Sequence, residues 1–278
     1  MKYLVLGSAG LIGTYLCQHL RDHKQEVIEF DLEYNDDLRI YGHSLLRKYM
    51  SECDFVYFLA FDVGGSRYLK EYQNSYNFIS NNVKIMNTTF DMLHLLNKPF
   101  LFTSSQMSNM THSNYGVLKL LGEKYTNQLG GIVTKFWNVY GIEKDVEKFH
   151  VIPDLILKGL REKHIDILTT GQEKRQFLSG FEAADALYKL SQFYKNIPRN
   201  RELHITSFKW TSIFDLARMI SAYLGDIPVN RGEGWDSIQG IINEPDDFVL
   251  NYWKPTLDLE YGLKHIIDHY KASYETKN

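Results

Sequence analysis

Gly7, Gly10 and Gly13 recur at three-residue spacing in LVLGSAGLIGTYL, directly between an apolar run and a helical pattern. No other stretch limits the fold as tightly. KYLVLG reads as a first strand, and Leu11, Tyr15, Leu16 and Leu20 keep the spacing of one helix face. Gly7 permits the tight turn, Gly10 lets backbone approach an anion, and Gly13 lets the helix pack closely on the strand. The first turn of that helix, with Leu11 and Ile12, presents free N–H groups that attract phosphate. EVIEFD follows as a second strand ending in Asp31, an acid placed to accept hydrogen bonds from an adenosine ribose. The same triplet serves as a plain tight turn in unrelated α/β proteins. Its strand–turn–helix setting, with an acid closing the next strand, points to dinucleotide binding.

The alternation continues. DFVYFLAF at 54–61 is a third apolar run, long enough for a buried parallel strand. Segment 74–96 places Ile79, Val83, Met86, Phe90 and Leu93 at helical intervals, KPFLFTSS is a fourth strand, a helix spans about 114–129, and GIVTKFWNVYG is a fifth strand. Strands separated by helices predict an α/β fold with a doubly wound parallel sheet of Rossmann type. After Gly141 the rhythm changes: VIPDLILKGLREK reads as a helix, IDILTT as a short strand and GQEKRQFLSG as a loop. Helices over about 181–194 and 212–224 flank ELHITS, a strand, whereas 226–256 has no clear period. The expected organisation is a dinucleotide-binding domain over 1–140 and a smaller substrate-binding lobe over 141–278, with the strand near 202–207 returning to the main sheet.

Composition removes several alternatives. A net charge of −3 leaves no basic footprint for nucleic acid, and no apolar run is long enough to cross a bilayer. The start of the chain reads as a strand rather than a leader, because glycines interrupt its apolar run. Cys17 and Cys53 are far apart in the chain and form no paired metal-ligand spacing, so no metal site is expected. Two isolated cysteines in apolar segments fit a reducing, cytoplasmic setting.

SSQMSNMTHSNYGVLK, residues 104–119, places Tyr115 and Lys119 four apart on a helix, behind hydroxyls arriving from a strand. With the Gly-x-x-Gly-x-x-Gly loop, FLAFDVGG, FTSSQ, YGVLK and KFWNVYG in that order, the chain resembles the extended short-chain dehydrogenase/reductase superfamily. Within it the match is to the NAD-dependent epimerase/dehydratase family that modifies nucleotide sugars. The resemblance implies that Ser104, or Ser105 after a one-residue shift, is the catalytic hydroxyl, with Tyr115 the acid/base and Lys119 its electrostatic partner and ribose ligand. A phenol near ~10 would be shifted toward phenolate by a nearby ammonium and a positive nicotinamide ring. NAD is the implied cofactor, held by Gly7, Gly10, Leu11, Ile12 and Gly13. Asp31, Leu32, Leu59 and Ala60, together with Tyr115 and Lys119, complete the implied set.

Departures from the family pattern bear on the reaction. The segment between the serines and Tyr115 is short, and Lys135 replaces the more usual arginine before Asn-Val-Tyr-Gly. Gln106 stands where sugar dehydratases carry an acid, and an amide supplies no proton for eliminating water. The expected substrate is a nucleoside diphosphate sugar, contacted by Ser105, Gln106, Asn138 and Arg175. Lys174 beside Arg175 is an alternative phosphate contact. The leading expectation is an epimerase working through a transient keto-sugar. The alternatives are a keto-sugar nucleotide reductase and an inactive dinucleotide-binding sensor. Helices 74–96 and 113–130 resemble those that pair in family homodimers.

Overall fold

The computed structural model describes residues 1–234 and 243–276. Four βα steps and a fifth strand build its first half: β1 (Lys2–Leu6), α1 (Leu11–Asp22), β2 (Glu26–Phe30), α2 (Ser44–Glu52), β3 (Phe55–Phe58), α3 (Ser66–Tyr72), α4 (Tyr76–Leu96), β4 (Phe100–Ser105), α5 (Asn114–Gln128) and β5 (Ile132–Phe136). The second half runs β6 (Asn138–Tyr140), α6 (Val151–Glu162), β7 (Ile165–Thr169), β8 (Lys174–Ser179), α7 (Gly180–Gln192), β9 (Leu203–Ile205), β10 (Trp210–Ser212), α8 (Ile213–Tyr223), β11 (Val229–Gly234) and α9 (Leu259–Glu275). Among the described residues no helix is long and apolar enough to cross a membrane.

The main sheet has six parallel strands in the order β2-β1-β3-β4-β5-β9. Its inner strands β1 and β3 are apolar on both sides because both sides are covered. Tyr3 and Val5 of β1 join one core with α1 and α7, while Leu4 and Leu6 join the opposite core with α2, α4 and α5. That two-sided burial is the reason the sequence shows continuous runs instead of alternation. The chain leaves β1 for β2 on one side and returns to β3 on the other. The crevice beyond the carboxyl ends of β1 and β3 is therefore the switch point where such sheets take ligands.

A third core, built from α6, α8 and α9 around Ile152, Ile156, Leu216, Ile220, Leu263 and Ile267, forms the lobe. The cores do not separate at one point in the chain. Leu187 and Leu190 of α7, Leu203 and Ile205 of β9, and Val249 and Trp253 farther on all pack into the first core.

Two local expectations are corrected. The run GIVTKFWNVYG is two strands in two sheets: β5 stays beside β4, and after Trp137 the chain enters β6, which pairs with β8. β9 lines β5 at Thr134–Phe136, so the edge beyond β5 is already taken. GQEKRQFLSG is a strand from Lys174 onward instead of a loop, because β8 gains partners on both sides, β6 parallel and β10 antiparallel.

Candidate active site

The glycine loop occupies the β1/β3 switch point. Gly7 has φ +86°, and a Cβ there would stand 2.6 Å from Ala60 N, so only glycine fits beneath the end of β3. A Cβ on Gly13 would sit 2.1 Å from Gly7 O, which explains the close seating of α1. Gly10, by contrast, is open, its nearest neighbour being Gly7 O at 3.4 Å. It begins α1 with no side-chain cap, so the amides of Leu11 and Ile12 open onto the crevice without a capping oxygen. The Ser8 hydroxyl in the same loop is buried without a hydrogen-bond partner among the described residues.

Asp31 reaches this loop from the end of β2, accepting from Ala9 N at 3.0 Å and from Glu33 N at 3.0 Å. Two oxygens accepting one bond each leave lone pairs for a further donor. Leu32 beside it is exposed, whereas Leu59 is tied to β1 through Leu6 O at 2.9 Å. Lys144 comes from the lobe to within 3.8 Å of Glu33.

At β4 the two candidate hydroxyls face opposite ways. Ser104 turns toward α5 and donates to Glu123 Oε1 at 2.5 Å. Ser105, on the opposite face of the strand, is the hydroxyl beside Tyr115, and it also accepts from Met107 N at 3.2 Å. The Ser104–Tyr115 pairing is therefore not formed. Its reason is the two-residue period of a strand, which sends neighbouring serines to opposite faces.

Tyr115 opens α5, only 8% exposed, and burial pushes its phenol up to about 12, against the opposing effect of Ser105. Lys119 follows one turn later at 3% exposure. Its ammonium donates to the Thr103 carbonyl at 2.8 Å and lies 3.8 Å from the Phe61 ring centroid. Burial pulls it down to about 7, with Glu123 opposing. Lys119 Nζ lies 5.8 Å from the centroid of the Tyr115 ring. Phe61, which also packs edge-on against Tyr115, is a site residue that the motifs missed. Its position directly after Leu59-Ala60 was the available signal.

The substrate-side residues are placed as follows. Gln106 is buried and held by Asn243, whose amide donates to its Oε1 and its backbone oxygen, each at 3.0 Å. Asn138 Oδ1 is buried without a partner among the described residues. Arg175 is buried and donates to Lys174 O at 2.7 Å. Asn138 lies opposite Phe177, two residues beyond Arg175, so Asn138 and Arg175 share one face of the small sheet. Lys174 points to the other side and is itself exposed. One feature the histidine spacing did not suggest lies in the lobe: Glu162, His164 and Asp166 bring their side-chain ligand atoms within 4.8 Å of one another at the surface.

Residues 3–206 match the NAD dependent epimerase/dehydratase family. A curated relative from Methanocaldococcus jannaschii, named "Putative UDP-glucose 4-epimerase", is 26% identical over 174 residues, which are 59% of this chain and 55% of that protein. The match thus spans about half the length of that relative. Among solved structures, MoeE5 in complex with UDP-glucose and NAD has a TM-score of 0.81 at 19% identity, covering 99% of this chain and 100% of that one. A GDP-6-OMe-4-keto-L-xylo-heptose reductase from C. jejuni has a TM-score of 0.80 at 19% identity, covering 98% of each chain. Both likenesses concern the fold.

Proposed function

The chain belongs to the NAD-dependent epimerase/dehydratase family, and from that premise we propose that it is a nucleotide-sugar epimerase using NAD. The observation that carries this reading is the pairing of Ser105 with Tyr115 at the start of α5, with Lys119 one turn on, beside an uncapped glycine cradle. The cradle fits the dinucleotide: Gly10 leaves open space, the first amides of α1 lack a side-chain cap, and the Ser8 hydroxyl has no partner among the described residues. Those groups would hold the pyrophosphate, and Asp31 the adenosine ribose.

NAD, when bound, supplies the acceptor and later the donor of a hydride. The chain's own residues move the proton. Tyr115 takes it from a secondary sugar hydroxyl as the carbon is oxidised, and returns it after the transient keto-sugar has turned over. Burial alone keeps the phenol protonated, so abstraction requires positive charge nearby. Lys119 is the chain's own source of that charge. Ser105 fixes the sugar oxygen between its hydroxyl and the phenol. Asn138 and Arg175 orient the diphosphate, the arginine through charge-assisted bonds. Gln106 offers an amide where elimination of water needs an acid, and residues 103–114 contain neither Asp nor Glu. The proposal extends to a homodimer formed through α4 and α5.

NMR of UDP-, GDP-, dTDP- and CDP-sugars incubated with the enzyme tests the reaction. The expected result is interconversion of two epimers with unchanged nicotinamide absorbance. Stoichiometric loss of NADH would make it a reductase, loss of water from the sugar a dehydratase, and turnover of none a sensor. NAD should also bind more tightly than NADP. Asp31 and Glu33 would face a 2′-phosphate at close range, and Lys144 is already engaged with Glu33. Equal affinities in calorimetry would sink that preference.

A further inference from the structure

Behind the site-bearing face of α5, a chain of charges runs from the interior to solvent. Glu123 lies one turn beyond Lys119 and is 3% exposed. Its carboxylate holds Ser104 Oγ and stands 3.4 Å from Lys135 Nζ. Lys135, on β5 and 1% exposed, also reaches Asn109 Oδ1 at 3.4 Å and Glu202 at 2.8 Å. Glu202 is half exposed and lies 3.6 Å from His204 Nε2. On its other sides Lys119 meets the Thr103 carbonyl from β4, the Phe61 ring from the segment after β3, and Tyr115 on its own helix.

A buried ion pair is a weak source of stability, because desolvation offsets most of the attraction. Its position here gives it a second use. A carboxylate one helical turn from a buried ammonium favours the charged form of that ammonium. Lys135 moderates the carboxylate, and Glu202 moderates Lys135 from the solvent edge. We propose that Glu123 is a positioning residue that keeps Lys119 charged beside Tyr115, with Lys135 and Glu202 setting how strongly it does so. This rests on the reading of Tyr115 and Lys119 as the proton-transfer pair.

The electrostatics agree with the geometry. Glu123 is the group that opposes the fall of Lys119 toward about 7. Glu202 is held down at about 2 by hydrogen bonds from His204 and Lys135, so it stays ionised at any working pH. Lys119 therefore sits where a modest change in Glu123 decides whether it carries charge.

A direct titration of Lys119 tests this without substrate. The full chain is labelled at lysine 13Cε, and the Lys119 resonance is identified by its loss in Lys119→Arg. Glu123→Gln should lower the Lys119 midpoint by about one pH unit or more. Glu202→Gln, at the half-exposed end where folding is secure, should lower it by less, because the charge of Lys135 is then less compensated. Glu123→Asp should restore most of the wild-type value. A midpoint unmoved in both glutamine variants overturns the inference, even if stability falls. The pH profile of kcat separates it from the underlying reading. An alkaline limb that moves with the midpoint supports both. A midpoint that moves under an unchanged profile supports the hold of Glu123 on Lys119 and overturns the assignment of Lys119 to proton transfer.

Discussion

Which of two adjacent serines meets Tyr115 is a question of one residue, and sequence could not answer it because both candidates are the same amino acid. Backbone alternation answers it. Ser105 shares the face of β4 that meets the phenol, and Ser104 serves Glu123 on the other. Ser105→Ala should therefore lower turnover by about 10²-fold, the scale of losing one oriented hydrogen-bond donor. Tyr115→Phe should cost ~10²–10⁴-fold with NAD affinity intact. Ser104→Ala should leave kcat within a few-fold and act on stability, through a buried carboxylate left short of a partner. Steady-state kinetics beside urea denaturation separates the serines, and a larger kinetic loss at Ser104 would reverse the register. Lys119 gives a second residue-scale prediction. Its folded value of about 7 lies below the ordinary ~10.4 of a lysine, so between those limits the unfolded chain binds more protons than the folded one. Stability then rises with pH through that window. Lys119→Met should remove the cost, raising stability by roughly 1–4 kcal/mol near neutral pH while lowering turnover. The gain should shrink toward about pH 10. A variant less stable than wild type at neutral pH would show that the Thr103 and Phe61 contacts outweigh desolvation.

At the scale of elements, the glycine loop separates two demands that look alike in sequence. Gly7 and Gly13 answer to backbone contact, Gly10 to open space. Gly7→Ala combines a left-handed φ with a clash against Ala60, and Gly13→Ala meets the carbonyl of Gly7. Each should cost about 2–4 kcal/mol in denaturant unfolding, the sum of backbone strain and overpacking. Gly10→Ala, at φ −68°, should unfold like wild type and lose NAD affinity alone. Equal destabilisation by all three would refute the distinction. The elements themselves were legible to different degrees. β1, β3 and β4 announced themselves as apolar runs closed by glycine, acid or serine, because both faces are buried. β8 begins Lys-Arg-Gln, and only its pairing with β6 and β10 makes it a strand, so tertiary context overrode a loop-like composition. α2 buries just Leu46 and Met50, too few to show a period. In α9, Leu263, Ile266, Ile267 and Tyr270 keep helical spacing, but an irregular stretch before them hides its start. Phe61 escaped because its role comes from contacts with Lys119 and Tyr115 that no local pattern encodes.

For the molecule as a whole, the proposed homodimer would link the site to assembly through α5. Its inward face carries Leu118, Lys119, Gly122, Glu123 and Thr126, all buried. Its outward face carries Val117, Leu121 and Tyr125, four residues apart and 44%, 41% and 39% exposed. Three apolar side chains in one i, i+4, i+8 row form a stripe one helix side wide, the shape a second helix covers. Covering a side chain of this size is worth about 1.5–3 kcal/mol relative to full exposure, and these are partly covered already, so the row alone is a modest driving force. Two-fold symmetry doubles it, because each copy contributes the same row to a self-complementary interface. α4, packed alongside α5 and stacking Phe90 on Tyr125 at 5.0 Å, would extend the contact. Leu121→Glu places a charge at the centre of the row without touching Tyr115, Lys119 or the core beneath. Light scattering behind a sizing column should find a dimer for wild type and a monomer for Leu121→Glu, each with the same far-UV spectrum. NAD should still bind the monomer, since the glycine loop lies on β1 and α1, whereas turnover should fall if the partner stiffens the start of α5. A wild-type monomer at working concentration, or a variant that remains dimeric, would remove α5 from the interface and leave its apolar row as ordinary surface.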